Sequence, residues 1–205
     1  MLKQVNKKFY NFHKYSFPGR WVSYYYQINE TLLLNPKTIL EIGTGDGVYK
    51  NFIINNTSID YKNMDIAEDL SPDMVGSVDD IPLTDDSFDL IAAFEILEHL
   101  PFSQFEKSLS EIRRVSKKYV IISLPHFGPP VKINFKLPFL KEVKVAFKIP
   151  FYKKHKFNGQ HYWEIGKKDY SPGKIRKIIK KYFKIKKEFI PFENQYHHFF
   201  VLENK

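Results

Sequence analysis

The chain has 205 residues, no cysteine and a formal net charge of +9. Its length suits one α/β domain with a single core and is short for two, and without cysteine there is neither a disulfide framework nor a thiolate metal site. No stretch approaches the roughly 18 apolar residues of a membrane span, and the N-terminal lysines precede no apolar run, so a soluble cytoplasmic protein is expected. The charge is uneven, with 18 Lys/Arg against 3 Asp/Glu in residues 131–187 and 14 Asp/Glu against 2 Lys from Thr38 to His99. The basic segment suits an acidic or phosphorylated partner, or forms a solvated lysine-rich surface.

Residues 1–36 read as a helical cap. Its second helix runs from about Arg20 to Leu34, ends at Asn35-Pro36, and carries Trp21, Tyr24, Tyr25, Ile28 and Leu32 as a core stripe at helical spacing. Trp21 or Tyr25 could also line a pocket. A strand (Thr38 to Ile42) then turns through Glu41-Ile42-Gly43-Thr44-Gly45-Asp46-Gly47 into a helix starting near Val48. Glycines at alternate positions permit positive φ and let a ligand approach the backbone, so the strand, loop and helix form a unit suited to a nucleoside. A bare turn is the alternative. The register is not that of a dinucleotide site, because Val48 stands where G-x-G-x-x-G needs its third glycine.

A second strand, Ile59 to Met64, ends in Asp65. This residue lies 22 positions beyond Gly43, where a carboxylate can accept both ribose hydroxyls; otherwise it is a turn residue. Met74 to Val78 forms a short third strand before an Asp79-Asp80 turn, and Leu90 to Phe94 is apolar enough for a central strand buried on both faces. Glu95, Glu98 and His99 follow at spacings that put them on one face of a helical turn. Ser103 to Glu106 reads as a capping box for a helix that buries Phe105, Leu109, Ile112 and Val115.

A fifth strand, Tyr119 to Ser123, delivers His126 to the same edge. Residues 127–160 show no clean helix and read as an inserted basic and aromatic lid, an acidic-substrate surface or a membrane-surface patch. His161-Tyr162-Trp163-Glu164 comes next, then a helix capped by Ser171-Pro172 that buries Ile175, Ile178, Ile179 and Tyr182. Two strands, Lys184 to Glu188 and Tyr196 to Leu202, close the chain. Of His197 and His198, one is expected exposed and one packed.

Glu41 with the G-x-G-x-G spacing resembles motif I of the class I S-adenosylmethionine-dependent methyltransferases, in particular their type 11-like domain. The resemblance covers about residues 20–202. It implies one α/β domain with a three-layer, Rossmann-like, seven-stranded mixed sheet and an antiparallel last strand. It implies S-adenosylmethionine contacts from Glu41, Gly43, Thr44, Gly45, Asp46, Gly47, Asp65, Ser77, Val78, Phe94 and Glu95, with Ser77 standing where the family usually places an adenine-contacting Asp. Glu-x-x-Glu-His followed by His-x-x-Glu resembles the small-RNA 2′-O-methyltransferases and the ubiquinone-pathway O-methyltransferases. That second resemblance implies Mg²⁺ or Mn²⁺ held by Glu95, Glu98, His99 and His161. The alternative makes Glu98 and His99 structural and His161 a base.

The expected chemistry is methyl transfer to a hydroxyl of an anionic or polyhydroxylated acceptor, a glycan or glycolipid ahead of RNA, with His99, His161, Glu98 and His126 as candidate catalytic groups. A cofactor-binding module without turnover and a nicotinamide-dependent oxidoreductase or epimerase are the readings from other classes.

Overall fold

The computed structural model describes residues 7–151 and 153–205; residues 1–6 of the expected cap and residue 152 of the expected 127–160 insertion lie outside them. Each strand of the main sheet sends alternate residues to opposite faces, as its pleat requires. Strand β1 (Thr38–Ile42) sends Leu40 and Ile42 into one core layer and Ile39 into the other. Helices α1 (Phe12–Tyr15), α2 (Pro18–Leu34) and α3 (Val48–Asn56) precede or follow β1. Strands β2 (Asp60–Asp65), β3 (Met74–Val75) and β4 (Phe88–Phe94) follow. After them come α4 (Phe105–Val115), β5 (Ser116–Pro125), β6 (Pro130–Phe135) and β7 (Val143–Lys148). The chain closes with α5 (Pro172–Tyr182), β8 (Phe183–Phe189) and β9 (His197–Asn204).

The seven-stranded sheet has the order β3-β2-β1-β4-β5-β9-β8. Its first five strands are parallel, and β9 inserts antiparallel between β5 and β8. This is the expected Rossmann-like mixed sheet. Leu109, Ile112, Ile175 and Ile179 from α4 and α5 cover one face, and Tyr49 and Ile53 of α3 cover the other. The strand order reverses between β1 and β4, so their C-terminal ends open a crevice at the switch point.

Four local expectations are corrected. In α2, Trp21, Tyr25 and Leu32 of the supposed core stripe are exposed, while Ser23, Tyr24, Gln27, Glu30 and Thr31 face inward. Hydrogen bonding explains the inversion: Thr31 pairs with the Tyr49 hydroxyl at 2.9 Å, Asn194 donates to Ser23 Oγ at 2.8 Å, and Lys187 reaches Glu30 at 2.6 Å. The Ser103–Glu106 capping box does not form, because Ser103 lies inside a 3-10 turn and Glu106 pairs with Lys181 of α5 at 2.7 Å. Both His197 and His198 are buried. The 127–160 segment contains a separate two-stranded sheet, β6-β7. Ser171 does cap α5, accepting the Lys174 amide at 3.2 Å.

Candidate active site

A cavity of about 250 Å³ sits at the switch point, over the glycine loop. Gly43, Gly45 and Gly47 have φ of 83°, 56° and 77°, in the region that favours glycine. Gly43 donates its amide to the Met64 carbonyl at 2.8 Å, and a Cβ there would meet Ile96 Cδ1 at 2.0 Å. Asp65, at the tip of β2, accepts the Thr44 amide at 2.9 Å through one oxygen and the Ala67 amide at 2.9 Å through the other. Each carboxylate oxygen can accept a second donor, so Asp65 keeps capacity for a diol.

Of the expected cofactor contacts, Gly43, Gly45, Asp65, Phe94 and Glu95 line the cavity. Glu41, Thr44, Asp46 and Gly47 support it from behind. Glu41 is buried and accepts a hydrogen bond from the Tyr61 hydroxyl; burial pushes its pKa up to about 8. Thr44 accepts from Asn63, and Asp46 accepts from the Tyr24 hydroxyl and the Val48 amide, while Gly47 caps α3. Ser77 does not face the cavity, because its hydroxyl bonds Asp79, and Val78 packs into the core beside Met64 and Ile81.

The N-terminal segment supplies lining that the glycine motif does not announce. Phe9, Tyr10, Tyr15, Phe17 and Arg20 close one side, with Tyr10 Cε1 4.0 Å from where a Gly45 Cβ would sit. Arg20 donates to the Tyr15 hydroxyl at 3.0 Å and stacks over that ring at 4.1 Å, while its buried Nε has no hydrogen-bond partner. A lone arginine before the first strand carries no sequence signature.

On the far side, Glu95 is the first residue after β4 and has φ 54°, a left-handed conformation that costs a residue with a Cβ about 1 to 2 kcal/mol. Burial raises its pKa to about 8, and Oε2 lies 3.7 Å from His197 Nε2. Glu98 is completely buried, neither carboxyl oxygen has a hydrogen-bond partner, and burial and then Glu95 hold its pKa well above the usual range.

His161 joins this group from a distant stretch of chain. Its Nδ1 is 3.2 Å from Glu164 Oε1 and its Nε2 is 3.9 Å from Glu98 Oε1. Tyr196 donates to the same Glu164 oxygen at 3.0 Å. Burial opposes ionisation of Glu164, but the hydrogen bonds from His161 and Tyr196 outweigh it and hold its pKa below the usual range. The segment is anchored by Trp163, which is fully buried with its ring edge-on to Phe102 and Phe105 at 5.1 and 4.9 Å. Tyr162 donates its amide to the Glu98 carbonyl at 2.9 Å, and His99 Nδ1 meets the Gln160 carbonyl at 3.1 Å. Burial, helped by His161, lowers the His99 pKa to about 4.

Among the described residues, Glu98, His99 and His161 offer metal-ligand atoms all within 4.8 Å of one another. Glu95 is not part of that group; its carboxyl is turned toward His197. His126 does not join the cavity either. Its Nδ1 meets His198 Nδ1 at 3.1 Å, and His198 continues to Glu188 at 2.7 Å and thence to Arg176, forming a chain that runs from the two buried histidines out to the half-exposed Arg176. Burial, aided by Lys148, lowers the His126 pKa to about 3.

Residues 40–123 match a family model described as a methyltransferase domain. No curated protein sequence matches the chain. The N-methyltransferase NodS from Bradyrhizobium japonicum, solved with S-adenosyl-L-homocysteine, superposes with a TM-score of 0.61 at 9% identity, covering 92% of this chain and 89% of that one. The magnesium protoporphyrin IX methyltransferase of Synechocystis, solved with bound S-adenosylmethionine, gives 0.59 at 12% identity over 91% and 80%. A 1,6-didemethyltoxoflavin-N1-methyltransferase of Burkholderia thailandensis gives 0.58 at 12% identity over 91% and 81%. Residues 40–123 thus resemble a methyltransferase domain, and the chain shares the fold of these methyltransferases.

Proposed function

We propose that the protein binds S-adenosylmethionine over Gly43 and Gly45 and transfers its methyl group to a hydroxyl of a glycan, glycolipid or other small polyhydroxylated acceptor. Asp65 takes the ribose hydroxyls, and Arg20, with its unpartnered Nε, takes the methionine carboxylate. An acceptor oxygen lone pair attacks the methyl carbon as the carbon–sulfur bond breaks, and the bond pair leaves with sulfur as S-adenosylhomocysteine. Holding donor and acceptor collinear at about 3 Å can contribute roughly 7 to 11 kcal/mol.

The observation that carries the hydroxyl acceptor is the His161–Glu164 pair at 3.2 Å beside the glycine-loop cavity. An ionised Glu164 holds the proton on Nδ1 and leaves Nε2 to accept the hydroxyl proton, a task an aliphatic alcohol requires and a thiolate does not. The basic 131–187 segment supports an anionic acceptor. RNA remains the second acceptor class, supported by the aromatics between Phe127 and Trp163 that could stack on bases. Labelled-methyl incorporation into nucleotide-sugar and lipid-linked sugar fractions against short RNA tests the order. Labelling confined to RNA ends and lost in His161→Ala reverses it, and cofactor binding with no labelled acceptor of any class favours a module without turnover.

A second reading concerns the orphaned, fully buried Glu98 oxygens. They fit a cation as well as a proton, and Glu98, His99 and His161 would then hold Mg²⁺ or Mn²⁺. A bound cation would lower the acceptor hydroxyl's pKa. His99 engages backbone groups of both Gln160 and Glu95, which weighs toward the structural role. Activity that survives exhaustive chelation leaves His161 as the base; activity abolished by chelation and restored by either ion assigns the site to metal.

A further inference from the structure

The β6-β7 hairpin is inside out. Residues directly opposite in an antiparallel pair share a face, and the register pairs Val131 with Phe147, Ile133 with Val145 and Phe135 with Val143. One face is therefore made entirely of these six apolar residues. The other carries Lys132, Lys144 and Lys148, and those lysines are turned onto the body of the protein. Lys144 pairs with Glu193 at 2.8 Å, Lys132 donates to the Glu193 carbonyl at 3.3 Å, and Lys148 donates to the His126 carbonyl. The apolar face is left to solvent, with Ile133 and Phe135 each 56% exposed and Phe147 53% exposed. The tip continues it: Leu137, Phe139 and Leu140 are exposed, Phe139 wholly so, between Lys136 and Lys141.

We propose that this hairpin docks the protein on an anionic membrane surface, the apolar face and tip entering the headgroup boundary and the surrounding lysines meeting lipid phosphates. Contiguous exposed apolar surface of this kind marks an interaction site, and charge complementarity selects the occupant. Residues 130–156 hold eight lysines and one acidic residue, and Lys136, Lys141, Lys153, Lys154 and Lys156 are exposed and are not among the three turned onto the body. Two copies joined face to face would bring two such cationic segments together, whereas an anionic bilayer satisfies both the charge and the apolar side chains. The attachment is peripheral, since no helix among the described residues is long and apolar enough to cross a membrane.

The full chain is floated with phosphatidylcholine vesicles with and without phosphatidylglycerol, at low and raised salt. The expected result is binding that requires the anionic lipid, weakens with salt, and falls at least about tenfold in Phe139→Asp/Val145→Asp. Both positions are exposed and neither lines the cavity, so the variant's circular dichroism and its S-adenosylhomocysteine affinity should match those of the parent chain. This separates failure of docking from failure of the cofactor reading. Absence of binding to anionic vesicles, or equal binding by the variant, overturns the proposal. So does a concentration-dependent dimer, seen by light scattering without vesicle binding, that the variant abolishes; it would make the face a contact between copies of this chain.

Discussion

The Thr44 amide donates to the Asp65 carboxylate at 2.9 Å, tying the glycine loop to the tip of the neighbouring strand before any ligand enters. One side chain thus fixes the loop and keeps its remaining lone pairs for the ribose of the proposed cofactor. Asp65→Ala should lose about 1.5 to 3 kcal/mol of S-adenosylhomocysteine affinity through the missing charged acceptor, with a smaller loss in Asp65→Asn. Calorimetry on the two variants checks the ordering, and unchanged affinity in Asp65→Ala would remove this residue from the site.

Glu95 gives the site a pH dependence. Burial raises its pKa to about 8, so it is largely protonated at neutral pH, and Glu98 is pushed in the same direction. A sulfonium cation favours the ionised carboxylate, so S-adenosylmethionine should bind more tightly as pH rises toward and through about 8, with release of a proton. Above that range the affinity should level off. S-adenosylhomocysteine, whose sulfur is neutral, should show a flatter profile. Equal pH slopes for the two ligands in calorimetric titrations would rule out the coupling.

His161→Ala should lower kcat by about 10² to 10⁴ while leaving S-adenosylhomocysteine affinity nearly unchanged, as expected for loss of a general base. Glu164→Gln should give a smaller loss, because it keeps a hydrogen-bonding partner for Nδ1 but removes the charge that stabilises the imidazolium. Kinetics on whichever acceptor is labelled decide the matter. An intact kcat in His161→Ala would exclude the base role.

Trp163 is the structural footing of that pair, fully buried against Phe102, Phe105 and Tyr170. Trp163→Ala should cost about 3 to 5 kcal/mol of stability in urea unfolding. A loss below about 1 kcal/mol would mean that the His161–Glu164 segment is held by something other than this cluster.

Much of the architecture was legible because it rests on period-two apolar strands and on glycines whose positive φ admits few substitutes. Gly43, Gly45 and Asp65 could be placed from spacing alone. The inner face of α2 could not, since its burial of Gln27, Glu30 and Thr31 depends on partners such as Tyr49 and Lys187 that lie far along the chain. Residues 127–160 show no clean helix and read as an inserted lid even though Val131, Ile133 and Phe135 alternate with polar neighbours, because alternation normally signals a half-buried strand and here the apolar half faces outward. His126, at the end of the fifth strand, and His161, after the insertion, stand side by side as candidate catalytic groups in the sequence. Only the fold shows one bonded to His198 and the other beside the glycine loop.

S-adenosylmethionine binding over Gly45 is tested most directly by calorimetric titration of the parent chain and of Gly45→Val. The substitution places a branched side chain at φ 56°, where the nearest atom to a new Cβ is Tyr10 Cε1 at 4.0 Å, so it fills ligand space and strains the loop without entering the core. One-to-one binding by the parent chain, abolished in a Gly45→Val variant whose circular dichroism is unchanged, is the expected result. A parent chain that takes up neither S-adenosylmethionine nor S-adenosylhomocysteine, or a Gly45→Val variant that binds either one with undiminished affinity, would contradict it.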